Sequence, residues 1–169
     1  MISEITFEEV FPMWEKLWPG RDSIRPSTSM LDWDTSHNDI MLYQYAAEGK
    51  EHYAPVFFGI HATHPETNRQ VLIAVNSGHQ TSPTRYRSRG LYVMPKFCRR
   101  GLAQALLTHT INYARDRGFE TVWSLPRETA LKTYESVGFK TMVGEIEAGW
   151  TSSGVQVSER NCYAEINLK

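Results

Sequence analysis

The feature that most constrains the fold is a strand, a tight basic turn and a helix that follow one another directly over Leu91–Ala105. Its first three residues, Leu91–Val93, are aromatic, aliphatic and β-branched, which is typical of a β-strand. Pro95 ends the strand, because proline cannot donate a hydrogen bond to a sheet. Leu102 then opens an amphipathic helix. The rest of the chain is arranged around this unit.

The turn of this unit carries the features of an anion site. A helix N-terminus presents unpaired backbone N–H groups and a partial positive charge, so phosphate binds there readily. Lys96, Arg99 and Arg100 add positive charge, and Gly101 allows a ligand to approach the backbone closely. We interpret the turn as a pyrophosphate site over the N–H groups of Arg99–Gln104. The alternative is a basic loop that caps an ordinary helix.

Whole-chain properties set the class of protein. A length of 169 residues favours a single domain over 1–169, and 41% hydrophobic with 22% charged residues is typical of a soluble globular protein. A net charge of −1 indicates no attraction to nucleic acid or to anionic membranes. Neither a transmembrane segment nor a signal peptide is predicted. Two separate cysteines, Cys98 and Cys162, predict a reduced cytoplasmic protein without a metal site.

The N-terminal half is predicted to contain helical segments and a three-stranded antiparallel meander. Thr6 and Glu9 have the spacing of a capping box at the start of the first helix. The predicted elements are a helix over Thr6–Trp18, a loop over Arg21–Met30, an ambiguous helix over Leu31–Ala47, and strands over Pro55–Ala62, Val71–Ser77 and Tyr86–Val93, with a loop over Gly78–Thr84.

The C-terminal half alternates helices and strands. Apolar periodicity predicts helices over Leu102–Arg117 and Glu128–Val137, and strands over Thr121–Leu125, Lys140–Ile146 and Asn161–Leu168. This mixture indicates an α/β or α+β fold with one central sheet.

Two motifs carry a family resemblance. Residues 98–103 are similar to Gln/Arg-x-x-Gly-x-Gly/Ala, the acyl-CoA loop of the GNAT N-acetyltransferase superfamily, although Cys98 replaces the first residue. About 30 residues later, a second motif of that family, Asn-x-x-Ala-x-x-x-Tyr-x-x-x-Gly-Phe, is matched at all its positions but the first, where Arg127 stands. The matching residues are Ala130, Tyr134, Gly138 and Phe139. The chain therefore resembles this superfamily over Tyr86–Phe139.

The resemblance implies a fold and an activity. It implies a single mixed, mostly antiparallel central sheet flanked by helices, whose two central strands splay after Val93. It also implies transfer of an acetyl group from acetyl-CoA to a primary amine on a small molecule or peptide. The transfer would be direct, in a ternary complex, with no metal and no covalent enzyme intermediate. A homodimer is left open.

The resemblance also implies roles for particular residues. Tyr134 would protonate the departing coenzyme A thiolate; the alternative is that Tyr134 packs in the core with its hydroxyl bonded to a carbonyl. The residues expected to bind the cofactor lie on the central strand, the turn and the helix that follows it, with one more ahead of the next helix. They are Leu91, Val93, Arg99, Arg100, Gly101, Leu102, Ala103, Gln104 and Arg127.

The general base is left unnamed. The strand before the turn carries arginines at positions 85, 87 and 89, where many relatives place a carboxylate. Glu145, Glu147 and His79 are candidates elsewhere, and a water chain is an equal alternative. Cys98 lies among basic residues that favour a reactive thiolate, or is only a small residue in place of a longer one. Aromatic residues near the N-terminus, including Trp18, either line an acceptor pocket or pack in the core.

Two other functions compete with catalysis. The missing strand carboxylate, with the departures at Cys98 and Arg127, allows a non-catalytic acyl-CoA-binding or regulatory module. The clustered arginines on the central strand and the turn allow a nucleic-acid-binding domain, although the net charge argues against it.

Overall fold

The computed structural model describes residues 1–19, 51–143 and 162–169, and within them one seven-stranded sheet with α-helices on both faces. The strands are β1 (Ile2–Ile5), β2 (Val56–Thr63), β3 (Gln70–Gln80), β4 (Arg85–Val93), β5 (Thr121–Ser124), β6 (Lys140–Val143) and β7 (Cys162–Asn167). The α-helices are α1 (Phe7–Leu17), α2 (Leu102–Asp116) and α3 (Leu131–Ser136). The strand order is β1-β2-β3-β4-β5-β7-β6.

The sheet is mixed and mostly antiparallel, as predicted. Only β4 and β5 pair in parallel, and every other pair of neighbours in this order is antiparallel. The β4–β5 ladder runs from Arg85–Thr121 to Arg87–Trp123 and then stops. The predicted splay of the two central strands is confirmed, but it begins after Arg87, six residues before the expected Val93. The reason is that β5 ends at Ser124, just before Pro126, while β4 continues.

A β-bulge bends β4 within the stretch that has separated from β5. Val75 of β3 faces Tyr92, whereas Ser77 faces Arg89, so β4 holds an extra residue between these pairs. Gly90 lies there with a left-handed φ of 78°. The Trp14 indole packs against it and donates a hydrogen bond of 3.0 Å from Nε1 to its carbonyl oxygen. A bulge bends its strand and increases the local twist, so β4 changes direction within the stretch that has separated from β5.

Helix α1 covers one face of the sheet. The predicted capping box is present, with Glu9 N donating to the Thr6 hydroxyl and Thr6 N donating to the Glu9 carboxylate. The helix buries Trp14 in a cluster with Phe57 and Val75. The predicted helix over residues 6–18 is therefore confirmed.

Helix α2 covers the opposite face. It buries one stripe of side chains, and Leu106 of this stripe joins Phe58 and Ala74 in a second cluster. Phe58 and Phe57 are successive residues of β2, and successive side chains of a strand point to opposite faces. The central sheet is thus flanked by helices, as the fold class requires.

The elements depart from the predictions in three places. Strand β1 was not predicted, because its four residues are too few for a periodic pattern. Strand β3 extends through Gly78–Gln80, which was predicted as loop because its residues are polar, yet they pair with β4. Residues Glu128–Ala130 form a 3-10 turn, so α3 is shorter than the predicted helix.

Some predictions fall outside the described residues. These are the loop over Arg21–Met30, the ambiguous helix over Leu31–Ala47 and the end of the predicted strand at Ile146. Among the helices that are described, none has the length and apolar character needed to cross a membrane.

Candidate functional site

The turn before α2 has the backbone geometry of an anion site. Gly101 is the N-cap of α2 in the left-handed conformation, with φ 77° and ψ 10°, and Arg99 also has a positive φ of 64°. The N–H of Ala105 donates to the Gly101 carbonyl at 3.0 Å. The N–H groups of Leu102, Ala103 and Gln104 precede this bond and have no carbonyl four residues back within the helix. Gly101 brings no side chain to cap them.

The charges around this turn are positive. Arg99 and Arg100 are exposed, and the first turn of α2 carries no acidic residue. The Arg100 guanidinium lies 5.3 Å from the centroid of the Phe97 ring. The partial positive charge of the helix start and the formal charges beside it therefore act together on an anion.

A cavity of about 770 Å³, which we call the outer cavity, adjoins the start of α2. Its wall includes every residue predicted to bind the cofactor except Arg100. These lining residues are Leu91, Val93, Arg99, Gly101, Leu102, Ala103, Gln104 and Arg127. The structure thus brings eight of the nine predicted residues together around one cavity, although their roles toward a cofactor remain predictions.

A second cavity of about 320 Å³, the inner cavity, lies where β4 and β5 have separated. Its wall includes Ser124 at the end of β5 and Tyr134 on α3. The two cavities share four lining residues, Leu91, Arg127, Thr129 and Ala130. The two cavities therefore adjoin each other, and we call them together the groove; the outer cavity lies at the basic helix start and the inner cavity at the gap between the central strands.

Tyr134 lies at the inner end of this groove. Its side chain is buried, and its hydroxyl oxygen is 3.3 Å from Ser124 Oγ. Ser124 Oγ donates in turn to the Ser88 carbonyl oxygen at 2.8 Å. Burial raises the pKa of the Tyr134 phenol, while the nearby Ser124 side chain, the charge of Arg87 and the Ser88 side chain act to lower it. The Tyr134 ring packs in a buried hydrophobic cluster with Phe139, as the core-packing alternative expects, and its hydroxyl contacts a serine hydroxyl rather than a carbonyl.

The end of α1 closes one side of the inner cavity. Arg127 Nη2 donates a hydrogen bond of 2.7 Å to the Leu17 carbonyl oxygen. The Arg89 guanidinium lies 5.4 Å from the centroid of the Trp18 ring, which also lines the cavity. Arg127 therefore holds the end of α1 beside the groove, in addition to lining both cavities. Trp18 is one of the N-terminal aromatic residues for which a pocket was considered.

The base candidates do not meet Tyr134 within the described residues. His79 is buried, and it lines neither cavity. Burial, and then the charges of Arg87 and Arg89, hold its pKa well below the ordinary value. Glu145 and Glu147 lie outside the described residues. The described part of the inner-cavity wall contains no carboxylate, so no base is assigned.

The thiol of Cys98 lies on the wall of the outer cavity. It is exposed, and its Sγ is 3.7 Å from the Met94 carbonyl oxygen. In the described ranges, no group of three His, Cys, Asp or Glu residues is placed to hold a metal ion.

Sequence reasoning missed Ser88 and Ser124, the two serines beside Tyr134. Both are polar residues at buried strand positions. A serine that closes a short apolar strand just before a proline, as Ser124 does, was the available signal. The glycine inside β4 was likewise a signal of the bulge.

These observations describe a basic helix start, a groove through a split parallel pair and a tyrosine at the end of that groove. A sequence model of the acetyltransferase (GNAT) family matches residues 7–139. The chain belongs to this family, which confirms the resemblance drawn from its motifs. No curated protein sequence matches the chain significantly.

Solved structures with the same fold extend over the whole chain. The ribosomal-protein-S18-alanine N-acetyltransferase of Escherichia coli is 18% identical, with a TM-score of 0.54, and the match covers 100% of this chain and 94% of that one. YncA of Salmonella typhimurium, whose structure contains its cofactor acetyl-CoA, is 15% identical, with a TM-score of 0.62 and coverage of 100% and 94%. A Bacillus subtilis acetyltransferase in complex with CoA is 14% identical, with a TM-score of 0.58 and coverage of 100% and 97%. At these identities the likeness concerns the fold alone.

Proposed function

We propose that this protein transfers an acetyl group from acetyl-CoA to a primary amine, directly and in a ternary complex, within one domain that spans residues 1–169. The observation that carries the proposal is the groove, whose two adjoining cavities lie at the basic start of α2 and at Tyr134. The presence of acetyl-CoA or CoA in two structures of the same fold supports this choice of donor.

The groove suits the two ends of acetyl-CoA. The diphosphate is negatively charged and would accept hydrogen bonds from the backbone N–H groups of Arg99–Gln104. The pantetheine arm carries amides and would pair with the backbone of Leu91–Val93 as an added strand does. This stretch of β4 has separated from β5, because the ladder between the two strands ends at Arg87. The thioester would then reach the inner cavity.

The chemistry at the inner cavity requires one proton transfer to the leaving group. Attack of the amine on the thioester carbonyl forms the C–N bond, and the C–S bond then breaks with its electron pair going to sulfur. Tyr134 would give its proton to that thiolate, and the proton lost by the amine would return to the phenolate through water. Burial raises the pKa of Tyr134, so the phenol carries its proton at neutral pH, and the thiolate takes that proton as the C–S bond breaks.

The acceptor would enter from the side of the inner cavity that Trp18 and Arg89 line. An amine must be neutral to attack, so it arrives neutral or loses its proton to water. We leave the base unassigned, and we propose a primary amine on a small molecule or a peptide as the acceptor.

Turnover measured on an amine panel tests the proposal. Purified protein is incubated with acetyl-CoA and a set of small-molecule and peptide amines, and free thiol is followed with a chromogenic disulfide. We expect amine-dependent release of coenzyme A and a matching acetylated product by mass spectrometry. Tight binding of coenzyme A without transfer to any amine would instead support the regulatory module. Binding of oligonucleotide that coenzyme A does not displace would support the nucleic-acid-binding alternative.

A further inference from the structure

A chain of buried polar side chains from four elements of the fold leads to the Tyr134 hydroxyl on a fifth. Asn76 on β3 donates from Nδ2 to Ser88 Oγ on β4 at 2.8 Å, and to Thr110 Oγ1 on α2 at 2.9 Å. Ser124 on β5 contacts Tyr134 and donates to the Ser88 carbonyl. Each of these side chains is at most 3% exposed. Burying polar side chains in a core costs free energy unless they form hydrogen bonds with one another.

The hydrogen count fixes the direction of these bonds. The Ser124 hydroxyl has one hydrogen, which it gives to the Ser88 carbonyl, so at the 3.3 Å contact Tyr134 donates and Ser124 accepts. The Ser88 hydroxyl accepts from Asn76, so its own hydrogen is available to another acceptor. The Tyr134 hydroxyl is therefore held by Ser124, and Ser124 is held in turn by the Ser88 carbonyl.

The position of the two serines relates them to the split between the strands. Ser88 and Ser124 are the residues that follow the last ladder pair, Arg87 and Trp123. The hydrogen bond from Ser124 Oγ to the Ser88 carbonyl thus takes the place of the next backbone hydrogen bond between the two parallel strands. It holds the mouth of the gap at a fixed width directly beside the phenol.

We propose that Ser124, held by the Ser88 carbonyl, is a positioning residue that aims the Tyr134 hydroxyl into the gap between β4 and β5 and stabilises its phenolate while the proton is on the leaving group. Asn76 orients Ser88 in the same network. This inference rests on the proposed function, because it gives the acid of that reaction its supporting groups.

The network supplies what the proton transfer needs. When the Tyr134 O–H bond breaks and the S–H bond of coenzyme A forms, a phenolate is left in a buried site, where the charged form is disfavoured. The Ser124 hydroxyl can rotate from the Ser88 carbonyl to the phenolate and supply a donor, until the proton of the amine returns to the tyrosine.

Ser124→Ala tests this arrangement, with Ser77→Ala as the matched control. Ser77 is also a buried serine, and its Oγ also donates to a β4 carbonyl, that of Arg89, at 2.7 Å. Ser77 lines neither cavity. Loss of a hydrogen bond that stabilises the transition state by about 1.4 kcal/mol lowers the rate about tenfold. We expect Ser124→Ala to lower kcat about tenfold with the KM for acetyl-CoA within about twofold, and Ser124→Thr to recover most of the rate.

A spectroscopic readout separates this role from a general effect on folding. Protein labelled with ¹³C at the tyrosine Cζ gives one resonance for each tyrosine, and the resonance of Tyr134 is the one missing from Tyr134→Phe. We expect Ser124→Ala to shift this resonance at neutral pH and to raise the midpoint of its titration, whereas Ser77→Ala leaves both in place. An unchanged resonance, together with a kcat equal to that of the control, would overturn the proposal.

The outcomes distinguish this inference from the function on which it rests. If no amine is acetylated, the proposed function fails, and the Tyr134 resonance still decides whether Ser124 acts on the phenol. If Tyr134→Phe keeps the full rate, the acid role fails, and the catalytic part of the inference fails with it. If Tyr134→Phe is slow and Ser124→Ala is as fast as the control, only the inference is wrong.

Discussion

Replacement of Gly101 by glutamate places a negative charge where we propose that the cofactor diphosphate binds. A Cβ added at Gly101 would meet only Gln104 Oε1, at 3.6 Å, so the side chain fits sterically. The left-handed φ of 77° costs a non-glycine residue about 1–2 kcal/mol. The substitution therefore leaves a folded protein with a carboxylate at the anion site.

The size of the effect follows from Coulomb's law. At about 6 Å and an effective dielectric constant of about 40, a carboxylate opposes each phosphate charge by about 1.4 kcal/mol. Two such charges give about 3 kcal/mol, which corresponds to a Kd for coenzyme A raised about 100-fold at low salt. Because salt screens this repulsion, the ratio should shrink as ionic strength rises.

Calorimetric titration with coenzyme A measures this effect, and Gly118→Glu is its control. Gly118 follows the other end of α2, also has a left-handed φ, of 84°, and has open space around it. The 15 residues of α2 span about 22 Å, so a charge at Gly118 is remote from the anion site. We expect both variants to lose similar stability, but only Gly101→Glu to lose affinity. Equal affinities in the two variants would refute the reasoning.

Three further predictions follow from the same structure. Tyr134→Phe should lower kcat at least tenfold with little change in the KM for acetyl-CoA, and a full-rate variant would remove the acid role. Gly90→Ala should lower the free energy of unfolding, measured in urea, by about 3 kcal/mol, since its Cβ would lie 2.5 Å from the Trp14 ring. Gly118→Ala, which has open space around it, should lower it by only about 1 kcal/mol. Equal losses in the two variants would contradict this. Burial holds the pKa of His79 low, so below about pH 6.5 the unfolded chain binds a proton that the folded chain does not. The free energy of unfolding should therefore fall by up to about 1.4 kcal/mol for each pH unit below that value. His79→Gln should reduce this pH dependence, and a variant that keeps all of it would contradict the prediction.

The part of the fold that the sequence predicted is the part with strong local signals. The capping box at Thr6, the apolar stripe of α2 and the prolines that end strands are all readable within a few residues. Strand β1 and the end of β3 were missed because their pairing is decided by the neighbouring strand. The residues at the end of β3 would be loop residues in isolation, and they form a strand only because β4 pairs with them.

The same contrast holds for the site. The position of the turn at Arg99–Gly101 was predicted correctly, because the helix start and its charged residues are contiguous in sequence. The start of the strand split was predicted six residues too late, since it depends on where β5 ends. Ser88 and Ser124 were missed because their nearness to Tyr134 exists only in three dimensions.

The central claim is that the negatively charged end of the cofactor lies at the start of α2. A crystal structure of the protein with bound coenzyme A tests it most directly. The account predicts the diphosphate within hydrogen-bond distance of backbone N–H groups of Arg99–Gln104, with the thiol in the inner cavity near the Tyr134 hydroxyl. Coenzyme A bound at another surface, with that helix start unliganded, would contradict it.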